Sequence, residues 1–532
     1  MSSAKTQFAE RSYAMIFFST LIVLCGTLLL DCTAAAAQQA DAPESSNYSI
    51  KVETRRVLLD VLVTDAKGKV VTNLKADDFH VYEENVEQPV RTFDAPQVHE
   101  IPKKDEILVR STEDLPKIGS APVTLIVLDE LNTSFEDMAY ARNQVKSYLK
   151  AQPAILRQPT TLLAANNTHF QVIKDYTQDR AALLTALDKH FPEYPWKMQH
   201  SGANSAGAFE RMGMSLNSLN EMADASRGTP GRKTVIWVGK GFPAVSLIGL
   251  DEHAAGLMQD AIKRLTSSLM ESRITLYTID PSSTLATVGK VSSSDDLESM
   301  EMDPRNDGVP FSDEINFTTL APVTGGQAFF SRNDIDAEVA DSTILGASYY
   351  TLTYAPTGDS EKSAPYRHIR IKMSDPNLKA VTRDGYYSEN PIVEARRMDN
   401  KTPQQARSEL EAEMGKAAFS SLPYNGLDVK LERGKGDEIQ LKIAAGTLQW
   451  ADSDSGNLVS EITVLYMLAT NKGKIVGHGA NELNATAQGR AQTQDQRAVF
   501  TIHVPAAADA ARLRVVARDA RSGKIGTADM VF

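Results

Sequence analysis

Residues 123–137 read VTLIVLDELNTSFED. Val123 to Leu128 is an unbroken run of apolar and β-branched residues, then comes Asp129, a polar loop and a helix signal. A run without polar alternation predicts a strand covered on both faces, as in parallel sheets. A carboxylate at the C-terminal end of such a strand, beside a helix N-terminus, is how open α/β sheets build ligand sites. Ser134 and Asp137 have capping spacing. Met138, Ala141, Val145, Tyr148 and Leu149 then recur on one face of a helix over about 135–150.

The pattern continues outward. Residues 161–165 and 170–173 read as strands, Thr177 opens a helix, and a longer helix covers roughly 205–227. Strand 234–238 ends at Gly239-Lys240-Gly241-Phe242-Pro243. A helix over about 252–272 leads into strand 274–279. Residues 282–312 are Ser-, Asp- and Glu-rich and read as an insertion. A short helix at 316–323, a strand at 328–330 and a helix at 335–346 follow. Alternation of this kind predicts a mainly parallel sheet with helices on both faces.

The flanks are different. Residues 48–95 read as a small antiparallel sandwich-like module, with turns at Asp65–Gly68 and Asn85–Gln88. Residues 96–120 form a linker. Residues 349–355 and 366–373 alternate strictly, and 379–387 adds a third strand. They read as a β-hairpin extension of the α/β domain, which then spans 121–390. A connecting helix near 403–414 leads to a second β-sandwich at 425–532. The expected fold class is therefore multidomain α/β plus β.

The chain has 532 residues and a net charge of −12. About 150 residues per domain suggests about three domains. The acidic balance argues against a nucleic-acid partner, which needs a basic face. Lys5 and Arg11 precede an apolar run from Tyr13 to Leu30, and Ala34–Ala37 offers a small-residue cleavage site. Residues 1–37 read as a signal peptide, the alternative being a retained membrane anchor; the Ala-rich exit favours cleavage. Export to the periplasm, cell surface or exterior is the expectation. Any membrane contact would be through this segment, uncleaved. Cys25 and Cys32 both lie inside it, so the mature chain would have no thiol or disulfide chemistry.

Several stretches carry a family likeness: DAKGKVVTNLKADDFHVYEE at 65–84, LDELNTSFEDMAYARNQVKSYL at 128–149, GRKTVIWVGKGFP at 231–243, LYTIDP at 276–281, TGGQAFF at 324–330, YYTLTYAP at 349–356 and DGYY at 384–387. With them the chain resembles the von Willebrand factor A domain, and more narrowly the VWFA-related family described from acidobacteria. The resemblance implies a Rossmann-like sheet and a role in protein–protein or adhesive contact, not an enzyme. It also implies a divalent-cation site with hard oxygen ligands, suited to magnesium or manganese. Asp129 matches the first ligand and Thr133 the second hydroxyl. Leu131 stands where a serine is expected. Gly239-Lys240-Gly241 replaces a loop that should carry an aspartate. Ser215 is one guess for the missing threonine. If Lys240 points inward it would neutralise Asp129 and block the cation; otherwise Asp129 pairs with backbone amides. No cofactor is expected, and Asn132, Ser134 and Phe242 are the expected partner-facing loop residues.

Other chemistry is thin. The nine histidines have no metal-protease spacing, and there is no nucleophile elbow or phosphate loop. Asp77-Asp78 and Glu83-Glu84 read as solvated edges, Trp237 as core, and Trp196 as an exposed contact. The expected function is an exported, non-enzymatic protein-binding or adhesion-type protein with a degenerate metal site. The alternatives are a working metal-dependent adhesion receptor, an unrecognised exported hydrolase, and a structural envelope component.

Overall fold

The computed structural model describes residues 56–532 other than 103–106, 167–169, 193–205, 249, 283–309, 331–333, 358–365, 388–401, 454–455 and 490–495. The expected signal peptide, Trp196 and most of the 282–312 insertion lie outside the described residues.

The chain begins with β1 (Val57–Thr64), β2 (Phe79–Glu83), β3 (Val86–Gln88) and β4 (Val90–Asp94). Alternation along β1 buries Val57, Leu59, Val61 and Val63 on one face. Asp65 closes the expected turn by accepting from the Lys67 and Lys69 amides at 2.9 Å. The second turn falls one residue earlier than expected. Glu84 and Asn85 both have positive φ, which matches a two-residue hairpin to the strand twist.

The α/β layer follows. Its strands are β5 (Val123–Asp129), β6 (Ile155–Ala165), β7 (Phe170–Asp179) and β8 (Lys233–Val238), then the short β9 (Val245–Ser246), β10 (Ile274–Ile279), β11 (Glu314–Ile315) and β12 (Ala328–Phe329). Six of them form one sheet in the order β12-β10-β8-β5-β6-β7, parallel except for β7. The helices are α1 (Phe135–Ala151), α2 (Arg180–Lys189), α3 (Ala206–Ser226), α4 (Glu252–Glu271), the single turn α5 (Leu320–Val323) and α6 (Ile335–Ala347). Period-two alternation splits the buried strands between two cores. Leu125, Val127, Val235 and Trp237 pack with α3 and α4; Ile126, Leu128, Ile236 and Val238 pack with α1, α2 and α6. The order reverses between β5 and β8, so their C-terminal ends flank the switch point of the sheet.

Strands β13 (Tyr350–Tyr354), β14 (Tyr366–Met373), β15 (Lys379–Val381) and β16 (Gly385–Tyr387) correct one expectation. They do not extend the α/β sheet. They pair antiparallel with the N-terminal strands, giving two four-stranded sheets, β15-β1-β13-β4 and β16-β14-β2-β3. Their shared core contains Leu59, Val61, Phe79, Val81, Tyr350, Leu352 and Tyr354. The α/β layer is thus inserted between β4 and β13 of one sandwich. The physical reason is supply: four short strands cannot cover both faces of a core, whereas eight can. Glu83, expected on a solvated edge, is buried in this sandwich. Its carboxylate accepts from Tyr354 Oη at 2.6 Å, Tyr386 Oη at 3.1 Å and Arg367 Nη1 at 2.6 Å.

Helix α7 (Pro403–Phe419) opens with a capping box at Thr402 and packs Met414, Ala417 and Ala418 against the α3 side of the layer. The remaining chain, β17 (Val429–Arg433) to β24 (Ile525–Val531), is antiparallel throughout and forms a three-stranded and a five-stranded sheet around Leu441, Ile443, Val464, Leu513 and Val515. All described residues fall within one compact unit, 54–532.

Candidate functional site

The switch point places Asp129 at the end of β5 and Gly239-Lys240-Gly241 at the end of β8. Asp129 is fully buried. Its Oδ1 accepts from the Asn132 backbone at 3.0 Å and from Asn132 Nδ2 at 3.1 Å. Its Oδ2 accepts from Trp237 Nε1 at 3.1 Å and from the Gly241 amide at 2.9 Å. Burial pushes this carboxyl above the usual carboxylate range, and the Trp237, Asn132 and Gly241 donors pull it back. The four N–H groups come from two loops and one strand, so the carboxylate is the knot that ties β5 to β8.

The local backbone follows from that closeness. A Cβ at Gly239 would sit 2.2 Å from Asp129 Cβ and 2.6 Å from Thr133 Oγ1, and Gly239 has φ of 154°. At Gly241, φ is 68°, and a Cβ would meet the Phe317 ring at 2.2 Å. Glycine is the residue both positions admit.

The site residues read from the sequence separate on this geometry. Thr133 is buried, and its Oγ1 accepts from the Lys240 backbone at 3.0 Å. Lys240 itself is exposed, so its ammonium does not block the site; the correction is that only its amide takes part. Leu131 is fully buried core. Ser134 is the N-cap of α1, accepting from the Asp137 amide at 3.2 Å. Phe242, expected on a partner-facing loop, is buried against Phe317 with ring centroids 5.2 Å apart, and Phe317 in turn packs on Trp237 at 5.1 Å. Strands β9 and β11 pair with each other, and their Val245 and Ile315 belong to the same core as this aromatic cluster. Asn132 is half-buried, and its Nδ2 also reaches Ser215 Oγ at 3.1 Å. Ser215 does reach the site, through Asn132 and from the middle of α3 rather than from a loop.

Two features escaped the sequence reading. The cation whose charge acts on Asp129 is Arg211, buried on α3 one turn before Ser215; burial lowers its pKa and the Asp129 charge opposes this. A lone arginine among Ala208, Met212 and Leu219 on a buried helical face was the available signal. Next to Asp129, Glu130 is fully buried and its Oε1 lies 2.6 Å from His190 Nε2. Sixty residues separate this pair, so no local spacing announces it.

These residues do not fit a divalent cation. An ionised carboxylate has about four lone-pair positions, and the donors on Asp129 use them. Leu131 supplies no oxygen. Among the described residues no group of three or more His, Cys, Asp and Glu side chains is placed to hold a metal ion. No described helix is long and apolar enough to cross a membrane.

No family model matches the chain, and no curated protein does. Parts of it are similar to solved structures. The SpRpn10 VWA domain matches at 12% identity over 31% of this chain and 90% of its own, with a TM-score of 0.17. A hypothetical protein from Pyrococcus horikoshii matches at 13% identity over 20% and 84%, with a TM-score of 0.13. Superoxide reductase from Archaeoglobus fulgidus matches at 13% identity over 21% and 89%, with a TM-score of 0.12. The chain is a mixed α/β protein with several β-sheets, and its likeness to a von Willebrand factor A domain is weak and partial.

Proposed function

We propose that this chain is an exported, non-enzymatic protein-binding protein of adhesion type, built on a von Willebrand factor A-like layer whose metal site has become structural. The observation that carries the reading is the saturation of Asp129 by Trp237 Nε1, two Asn132 donors and the Gly241 amide. A carboxylate so used ties strands together and has no valence left for a cation. Partner capture would then be metal-independent and would use surfaces other than the closed switch point. Export rests on the N-terminal segment, with the periplasm, cell surface or exterior as destination.

The test is thermal unfolding in chelator, then in millimolar magnesium or manganese. The reading expects the same midpoint in all three. A cation at about 100 times its dissociation constant would stabilise by roughly 2.7 kcal/mol. A rise of several degrees that disappears in Asp129→Ala would overturn the proposal in favour of metal-dependent adhesion.

A further inference from the structure

The C-terminal sandwich leaves its longest strand half used. Strands β20 (Leu458–Ala469) and β21 (Ile475–Ala487) form a hairpin paired from Leu458↔Ala487 to Ala469↔Ile475, and β23 (Arg512–Asp519) lies on the other side of β20. β21 is therefore an outer strand, and it runs for 13 residues. Among the described residues no strand pairs with its second edge, and no backbone hydrogen bond reaches it from outside the hairpin.

The other edges are managed. β7 is covered by the segment before β5: the Gln178 amide donates to the Val109 carbonyl at 3.0 Å, and the Thr112 amide to Asp175 Oδ2 at 2.9 Å. β24 is covered by residues 424–427: the Leu427 amide donates to the Ile525 carbonyl at 3.3 Å, and the Thr527 amide to the Tyr424 carbonyl at 3.0 Å. Edges β3, β12, β15 and β16 are three residues or shorter. β22 (Arg497–His503) has 7 residues and ends in ion pairs of Arg497 with Asp428 and His503 with Asp437. A bare strand edge is a template for another chain, and proteins ordinarily guard it with lysine, proline, brevity or a cover. β21 contains no lysine, arginine or proline, and its one bulge lies at the far end, between Ile475 and Gly477.

The side chains on β21 are also unspent. His478, Ala480, Glu482, Asn484 and Thr486 are exposed, while Leu483 and Ala485 pack with the sandwich core. The His478 and Glu482 side chains have no hydrogen-bond or ion-pair partner among the described residues. They are the two titratable groups of the strand, and they stand two residues either side of Ala480. An antiparallel pair of β21 strands with its two-fold axis at Ala480 sets residue 478 of one copy opposite residue 482 of the other, twice. Directly opposite residues on one face have Cβ atoms about 4.5–5.5 Å apart, within reach of a side-chain hydrogen bond. An imidazole carries an N–H in either protonation state, so it can donate to the carboxylate with or without charge.

We propose that β21 is a dimer seam: two copies of this chain pair β21 antiparallel about Ala480, with His478 of each copy against Glu482 of the other. An isologous contact needs one self-complementary patch, and an acid and a base placed evenly about the centre of a bare edge supply it. The sheet then runs unbroken from β24 of one copy to β24 of the next. A seam of one strand is smaller than a standard interface, so the dimer dissociates on dilution. Nothing in this depends on whether Asp129 holds a metal.

The described residues form one compact unit, so the chain from residue 38 onward carries the test without the apolar segment 13–30. Analytical ultracentrifugation over a dilution series should show a monomer–dimer equilibrium. His478→Glu sets Glu against Glu, and Glu482→Lys sets Lys against His. Each should weaken the dimer at least tenfold while leaving the unfolding temperature of the monomer unchanged, since both positions are exposed. The double variant faces Glu with Lys and should regain the dimer. Both natural cysteines precede residue 38, so Ala480→Cys adds a single thiol on the axis. Mild oxidation should cross-link two copies through it, and should not do so through Thr486→Cys, which lies far from the axis. A monomer at every concentration up to millimolar overturns the proposal. So does a dimer indifferent to both single variants, a double variant no better than the singles, or equal cross-linking through the two thiols.

Discussion

Asp129, fully buried at the C-terminal end of β5, and Asp60, half-buried on β1 beside Arg273 at the start of β10, meet the cost of desolvation in opposite ways. Asp129 is met chiefly by neutral N–H dipoles from Trp237, Asn132 and Gly241, and a shut aromatic cluster covers it. Asp60 is met by a guanidinium gripping both its oxygens, in a setting where cations outnumber it and donors remain over. A carboxylate with its lone pairs filled is finished as a ligand group. Around Asp60, Arg232 Nη1 and Arg383 Nε keep no hydrogen-bond partner among the described residues. The end of the sheet to which topology directs attention is therefore the closed one.

Asp129→Asn breaks the first half of this comparison most sharply. The amide keeps the shape but turns one acceptor into a donor, facing N–H groups that then lose their partner. The loss should be about 3 kcal/mol, since hydrogen bonds to a charged group contribute about 1.5–3 kcal/mol and orphaned buried donors add to it. Urea unfolding reads this directly. A variant as stable as wild type would mean that Asp129 is free of a structural role and would return it to the list of candidate ligands.

The second half is sharpened by pH. Lys233 is held near a pKa of about 7 in the folded chain, against a reference of 10.5. Between those values the unfolded chain binds more protons than the folded one, so this residue makes stability rise with pH from about 7 towards 10. Lys233→Met should flatten that part of the stability–pH profile relative to wild type. Superimposable profiles would show that Lys233 stays protonated in the fold and that the local positive excess is compensated.

The smallest effect is expected at Lys240. Its side chain is exposed and its amide survives substitution, so Lys240→Ala should change stability by no more than about 0.5 kcal/mol. A large loss, measured by the same unfolding experiment, would restore the ion pair with Asp129 that the geometry does not contain.

Much of the α/β layer was legible because its signals are local. The apolar run of β5, the Ser134 cap and the face of α1 were all read from neighbouring residues, and each lies where it was expected. The Gly-Lys-Gly loop was legible as an oddity but not as a cause. Its glycines are required by Asp129 and by Phe317, one more than a hundred residues before it and the other more than seventy after. Lys240 was left open between blocking the site and lending only its backbone for the same reason: a cation in the loop facing a carboxylate says nothing of which way its side chain leaves the backbone. The real neighbours lie in other elements: Trp237 read as plain core, and Arg211 stood out only as a lone cation on an apolar helix face.

The sequence by itself determined the order of elements, the two-faced burial of β5 and the placement of a carboxylate at its end, because hydrophobic periodicity and caps act within a few residues. Only the tertiary structure decided which sheet β13–β16 join, since an alternating strand is equally content on any sheet with a matching face. Tertiary structure likewise decided that Asp129 is spent and that the neighbours of Asp60 are not. Valence is a property of what converges on an atom from distant parts of the chain, and no stretch of sequence contains that sum.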